Sequence, residues 1–282
     1  MIRIIAPPEL VTEHINAVVT RLQNSYNDQE VLNHILQLGV NSIEEFLAAD
    51  VDTMRRWTEC EKEKLQLNSF REIYTRYFSN GTNNFVDGDY NAYKFLEELD
   101  IMVCPYCDDE YLDTVKIGNS VRRTGEIDHF FSKSKYPALA MCFYNLVPSG
   151  QNCNGLKLQN DIGANPYETD IENWTWLYPD IPVGVSLETL QPEDCKIHFH
   201  PKYGMKSNVC LLALEQRYER HAQEAHRLLL NLQNYSEDKI AELVKMGYGT
   251  REEIISTVFG PQDRTEKKKT LRQKMLRDLT GY

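Results

Sequence analysis

The sequence predicts a mainly α protein with a small α+β insert near its middle. Three observations lead there: helical spacing of apolar residues through the first 80 positions, a run of short strand-like pieces around 115–148, and a return of helical spacing after about 209. Leu10 to Tyr26 carries apolar residues at Val11, Ile15, Val18, Val19 and Leu22, one stripe of an amphipathic helix. Ile2 to Ile5 before it reads as a short strand stopped by Pro7-Pro8. Asn27-Asp28 is a cap for a helix over Glu30 to Leu38, and Asn41-Ser42 for one over Ile43 to Ala48. Asp52-Thr53 introduces a longer helical stretch to Phe78. The polar run Ser79 to Asn84 marks the best boundary in this half.

Asn91 to Leu99 predicts one more helix, and then the texture changes. Val115 to Ile117 and Val121 to His129 predict two strands joined by a tight turn at Gly118-Asn119-Ser120. A short helix over Pro137 to Tyr144, an extended piece at Leu146 to Pro148 and a helix start at Asn154 to Leu158 follow. Beyond a Trp- and Pro-rich stretch, strands are expected at Val183 to Leu187 and Lys196 to His200. A long helix is expected over Val209 to Leu232, and others over Ser236 to Lys245, Thr250 to Phe259 and Asp263 to Leu279. The division that results is 1–84 (helical, a candidate docking module), 85–168 (the insert) and 169–282 (mostly helical).

Composition narrows the class. At 282 residues with 41% hydrophobic and 26% charged residues the chain can bury a core, which argues against global disorder. No apolar run is long enough for a membrane span, and the first residues lack a signal-peptide pattern, so a cytoplasmic location is expected. Seven cysteines, an odd count with one C-x-x-C pair at Cys104 and Cys107, favour a metal or redox role over a disulfide framework. Net charge is −11, but unevenly placed. Val115 to Asn160 holds six basic against two acidic residues (+4), and Arg264 to Arg277 seven against one (+6), leaving −21 elsewhere. Such basic patches suit phosphate, although the C-terminal one reads equally well as solvated surface.

Each chemical residue in the insert is weak evidence alone, since short motifs arise by chance and a lone His is more often structural. Order and spacing strengthen them. Cys104-x-x-Cys107, Glu126-Ile127-Asp128-His129, Tyr144-Asn145-Leu146-Val147-Pro148 and Cys153-Asn154-x-x-Lys157 fall within 54 residues. This set resembles the HNH (His-Me finger) nuclease signature and its ββα-metal core. The resemblance implies that Asp128 and Asn154 bind one Mg²⁺ or Mn²⁺, that His129 is the general base, and that Asn145 orients its ring through a side-chain or backbone oxygen. A carboxylate and an amide oxygen suit a hard divalent ion and leave positions for water and phosphate. An imidazole with a pKa near 6.5 can accept a proton from water. Adjacent strand residues face opposite ways, so convergence of Asp128 and His129 is expected to need a bend. Arg122, Arg123, Lys133, Lys135 and Lys157 surround the motif as phosphate clamps or as a solvated rim.

Many HNH proteins carry a structural Zn²⁺ between two C-x-x-C pairs. Here Cys104, Cys107 and Cys153 are present, but the fourth position is Gly150, one ligand short of a closed tetrahedral site. Cys142 is either a substitute or a buried apolar-face residue. The longer stretches Glu126 to Pro137 (EIDHFFSKSKYP), Tyr144 to Ser149, Asn165-Pro166-Tyr167 and Leu214 to Tyr218 resemble a bacterial HNH group that includes the nuclease subunit of Septu-type anti-phage systems. That resemblance implies a DNA substrate and an ABC-type or SMC-like ATPase partner. Two other classes stand beside it: a catalytically silent nucleic-acid-binding or scaffolding protein, and a redox protein using Cys104 and Cys107, which lacks a thioredoxin-like βαβ pattern.

Overall fold

In the computed structural model, residues 1–79, 90–118, 120–260 and 270–282 are described. The boundary expected at 80–84 and the basic residues at 264–269 lie outside them. The expected mainly helical architecture with small antiparallel sheets is present. Helix α1 (Pro8–Ser25) buries Leu10, His14, Val18 and Leu22, one residue per turn along a single face. Capping side chains set the next starts: Asn27 for α2 (Asp28–Ile35), Ser42 for α3 (Ile43–Leu47) and Asp50 for α4 (Val51–Cys60).

The stretch expected to run unbroken to Phe78 is interrupted. A 3₁₀ turn at Lys62–Leu65 separates α4 from α5 (Ser69–Ile73), which continues into a π turn at Tyr74–Phe78. Inserting that wider turn re-aims the aromatic side chains of its segment, and π turns often mark functional positions. Ile2 to Ile5 forms no strand. Its amides instead reach across the chain, Ile2 N–H to the Pro105 carbonyl (2.9 Å) and Ile4 N–H to that of Pro166 (2.8 Å).

Helix α6 (Ala92–Leu99), capped by Asn91, leads into the insert. The expected strand over 121–129 is two strands. β1 (Thr114–Ile117) pairs with β2 (Ser120–Arg123), and Gly118 takes the positive φ of +60° that a tight turn requires. The chain then turns at Thr124-Gly125, and β3 (Glu126–His129) pairs instead with β4 (Leu146–Ser149), Asp128 opposite Val147 and His129 opposite Leu146. Two 3₁₀ turns, Pro137–Met141 and Phe143–Asn145, fill the connection. Helix α7 (Gln151–Lys157) follows β4 directly and packs on β3.

The strand expected at 183–187 is absent, and Val183 is fully exposed. The partner of β6 (Lys196–Pro201) is β5 (Thr175–Asp180), which buries Thr175 and Leu177 while Trp176 and Tyr178 face out. The long helix expected over 209–232 breaks into α8 (Met205–Leu211), α9 (Leu214–Tyr218) and α10 (Ala222–Asn234). The break is at Ala213, held at φ +49°, a conformation costly for a residue with a Cβ. Helices α11 (Glu237–Lys245), α12 (Arg251–Phe259) and α13 (Gln273–Thr280) close the fold, with a reciprocal capping box between Thr250 and Glu253.

One continuous apolar core links all three regions, from Leu10, Phe46 and Phe70 through Phe95, Phe143 and Leu146 to Leu228 and Met275. No described helix is long and apolar enough to cross a membrane.

Candidate functional site

β3, β4 and α7 bring Asp128, His129 and Asn154 to one pocket of about 360 Å³, which Glu126, Ser132 and Lys133 also line. The strand pairing is regular through His129, so the expected bend in β3 is not there. The two side chains meet different neighbours, as alternating strand residues should. The His129 ring is buried, its Nε2 lies 3.1 Å from the Ala140 carbonyl, and the Tyr74 ring of the π turn crosses it edge-on at 4.3 Å. A carbonyl only accepts, so Nε2 carries the proton and Nδ1 keeps its lone pair. Lys133 Nζ stands 3.4 Å from Nδ1 and 4.8 Å over the Tyr74 ring. Burial first, then the Lys133 charge, holds the His129 pKa well below the usual imidazole range, against the opposing Ala140 hydrogen bond. The ring is therefore neutral at physiological pH.

Asp128 is buried with both oxygens engaged. Tyr106 Oη donates to Oδ2 at 2.8 Å and Lys157 Nζ to Oδ1 at 3.0 Å. Lys157 also donates to the His129 carbonyl at 2.7 Å and has no exposed surface. It is thus an internal ion-pair partner and corrects the expectation of a phosphate clamp at that position. Asn154 Nδ2 donates to the Glu126 carboxylate, leaving its amide oxygen with no donor among the described residues. As a donor set for Mg²⁺ or Mn²⁺, the residues fit in kind: a carboxylate oxygen accepts more than one partner, and an amide oxygen is open. The Lys157 ammonium on Oδ1 and the Lys133 side chain at the pocket wall oppose an ion there.

Asn145 does not hold the histidine ring. Its Oδ1 accepts from Phe131 N–H (2.7 Å), and its Nδ2 donates to the Phe131 and Leu139 carbonyls (3.1 and 2.8 Å). It fastens the loop that carries Ala140, and the Ala140 carbonyl does the orienting. Of the other basic residues, Lys133 lines the pocket and Lys135 pairs with Asp161 (2.9 Å). Arg122 is exposed on β2, and Arg123 lies over the Tyr93 ring at 5.2 Å. In the described part of the C-terminal basic stretch, Arg272 pairs with Asp109 and Glu224, Lys274 with Asp278 and Arg277 with Glu172, so these cations serve the fold.

Beside the pocket, Cys104, Cys107 and Cys153 are buried with their sulfurs all within 4.8 Å of one another, a group that can hold a metal ion. Burial pushes the Cys104 thiol up to about 12, the reverse of what a redox thiol needs. Cys142 is not part of the group; its thiol donates to the Phe46 carbonyl at 3.4 Å in the α3 interface. Arg217 Nη1 reaches Cys153 Sγ at 3.1 Å, an approach that the break at Ala213 helps set up by starting α9 afresh.

Tyr74, Tyr106, Glu126 and Ala140 were not singled out from sequence as site residues. Glu126 had a signal in its place two residues before Asp128, on the same strand face. Ala140 acts through a backbone oxygen and had none. Comparison with family models, curated proteins and solved structures gives no match for this chain.

Proposed function

We propose that the chain is a metal-dependent HNH-type endonuclease that hydrolyses phosphodiester bonds in DNA. In this reading it is the nuclease effector of a bacterial anti-phage system under the control of an ABC-type or SMC-like ATPase. The observation that carries the reading is the His129 imidazole: buried, neutral and protonated on Nε2 by its bond to Ala140, so that Nδ1, which Lys133 Nζ meets at 3.4 Å, carries the lone pair that can accept a proton at the pocket shared with Asp128 and Asn154. Asp128 and Asn154 would hold Mg²⁺ or Mn²⁺, and the bound ion supplies charge stabilisation to the phosphate oxygens. His129 takes the proton of the attacking water at Nδ1. Lys133, 3.4 Å from that atom, is a cation at the pocket wall for the phosphate and keeps the imidazole a weak base. The three buried thiols would hold a structural Zn²⁺ that fixes the knuckle before β1 against α7.

The test is nicking of supercoiled plasmid with Mg²⁺ or Mn²⁺, with and without the ATPase. His129→Ala is expected to lower the rate by about 10²-fold or more. Equal nicking by both proteins sinks the active-nuclease reading. A second reading, a catalytically silent DNA-binding scaffold, is favoured by one observation, the buried Lys157 ammonium on Asp128. Retained DNA binding with no cleavage by either protein selects it.

A further inference from the structure

The missing fourth thiol at position 150 has a replacement in space. A Cβ built on Gly150 would fall within 3.0 Å of all three carboxylate atoms of Glu110, so the volume a side chain there would fill belongs to the Glu110 carboxylate. Position 150 adjoins the cluster, since the Gly150 amide lies close enough to the Cys104 sulfur to favour its thiolate. The Glu110 backbone is pinned to the same knuckle, its carbonyl accepting the Cys104 amide at 2.8 Å. Its Oε1 takes only a long bond from Asn152 N–H at 3.4 Å. Its Oε2 is buried and makes no hydrogen bond, with Arg217 Nη2 3.9 Å away. A buried carboxylate oxygen left without a donor is costly, and a cation is the partner that best removes the cost.

We propose that Glu110 is the fourth ligand of a Cys₃Glu zinc site completed by Cys104, Cys107 and Cys153. This rests on the zinc reading above and names the group that closes it. Zinc accepts carboxylate oxygen at about 2.0–2.2 Å beside thiolates at about 2.3 Å, and thiolates around one tetrahedral ion stand roughly 3.8 Å apart. That spacing lies inside the 4.8 Å within which the three sulfurs already stand. The carboxylate lies outside their 4.8 Å grouping, so in this proposal the Glu110 side chain changes rotamer to reach the ion. Each thiol loses its proton on binding, so the ion with three thiolates and a carboxylate carries a net charge of −2. The Arg217 guanidinium, already on Cys153 and beside Glu110, offsets half of it. Glycine at 150 then follows from crowding: any larger residue would evict the ligand.

The full-length chain is to be assayed for zinc content, and refilled with Co²⁺ so that charge-transfer intensity counts thiolates and the d–d bands report the fourth donor. One zinc per chain and a three-thiolate spectrum are expected. Glu110→Gln should weaken zinc about tenfold or more and move the d–d bands with the thiolate count unchanged. Unchanged affinity and bands in Glu110→Gln overturn the Glu110 assignment and leave the zinc reading standing. A wild-type chain that holds no zinc overturns both. Should Glu110→Gln fail to fold, the double variant Glu110→Ala with Gly150→Cys decides. A four-thiolate spectrum supports the shared position, and a three-thiolate one refutes it.

Discussion

Asn145 shows at the scale of one residue how a site is held by groups that never touch substrate. Wholly buried, it satisfies the Phe131 amide and the Phe131 and Leu139 carbonyls with one side chain. Asn145→Ala strands the Phe131 amide and carbonyl, whereas the Leu139 carbonyl keeps the Cys142 amide at 3.2 Å; each unpaired buried group costs about 1–3 kcal/mol, so a loss of about 3 kcal/mol is expected. Urea unfolding measures it, and a loss below about 1 kcal/mol would contradict the assignment. Asn145→Asp should be little better, since it trades a donor for an acceptor opposite two carbonyls. The variant should also lose nicking, because the loop it releases carries the Ala140 carbonyl that fixes the His129 tautomer. Much of this site was legible in the sequence as an order of polar residues, Asp128, His129, Asn145 and Asn154. The roles were less so. Sequence spacing puts Asn145 near the histidine but cannot say whether an amide or the Ala140 carbonyl faces the ring, nor that Lys157 turns inward to Asp128.

At the scale of elements, α1 is seated by a histidine rather than by apolar contacts alone. His14 Nε2 bonds the Met141 carbonyl at 2.8 Å, Nδ1 meets Tyr90 Oη at 3.1 Å, and the rings of Phe78, Phe95 and Phe143 enclose it. Burial pulls its pKa down to about 4, against the Met141 hydrogen bond. The unfolded chain takes up this proton near pH 6.5, whereas the native protein resists it down to about pH 4. Stability should thus fall as pH drops through that window, by on the order of 3 kcal/mol, with no further loss from this group below it. His14→Gln keeps a polar side chain without the titration. The difference in urea stability between wild type and variant should shift between pH 7 and 4.5, and parallel profiles would rule the effect out. Elements whose starts carry caps, at Asn27, Ser42, Asn91, Ser236 and Thr250, were legible because capping is local. The π turn at Tyr74–Phe78, the break at Ala213 and the pairing of β5 with β6 were not. These are imposed by what the segment packs against, and Trp176 facing outward even inverts the usual strand signal.

At the scale of the whole molecule, the three regions that the sequence suggests share one apolar core. Residues 1–79 bury Phe46, Trp57, Phe70 and Tyr74 in the core that also holds Phe143 and Leu146, and Tyr74 reaches His129 itself. From the other end, Arg272 and Lys274 donate backbone amides to Asp108 of the cysteine knuckle, at 2.6 Å to its carbonyl and 2.7 Å to its carboxylate. Burial works to raise the neighbouring Asp109 carboxyl, yet hydrogen bonds from His221, Arg220 and Arg272 hold it well below the carboxylate range. An edge built this way cannot come apart in pieces without exposing apolar surface worth about 1.5–3 kcal/mol per large side chain. Unfolding should therefore be a single transition. The tryptophans provide the readout: Trp57 is buried in α4 against Phe46, while Trp174 and Trp176 lie in the C-terminal region, 169–282. A Trp57→Phe variant reports only the C-terminal region, and a Trp174→Phe, Trp176→Phe variant only the N-terminal one. After each is referred to its own far-ultraviolet circular dichroism curve, the fluorescence midpoints should coincide with it in both. A Trp57 signal that melts ahead of the backbone would instead make the N-terminal helices a separable module. Coincidence would mean that a partner docking on those helices acts on the same cooperative unit that positions His129.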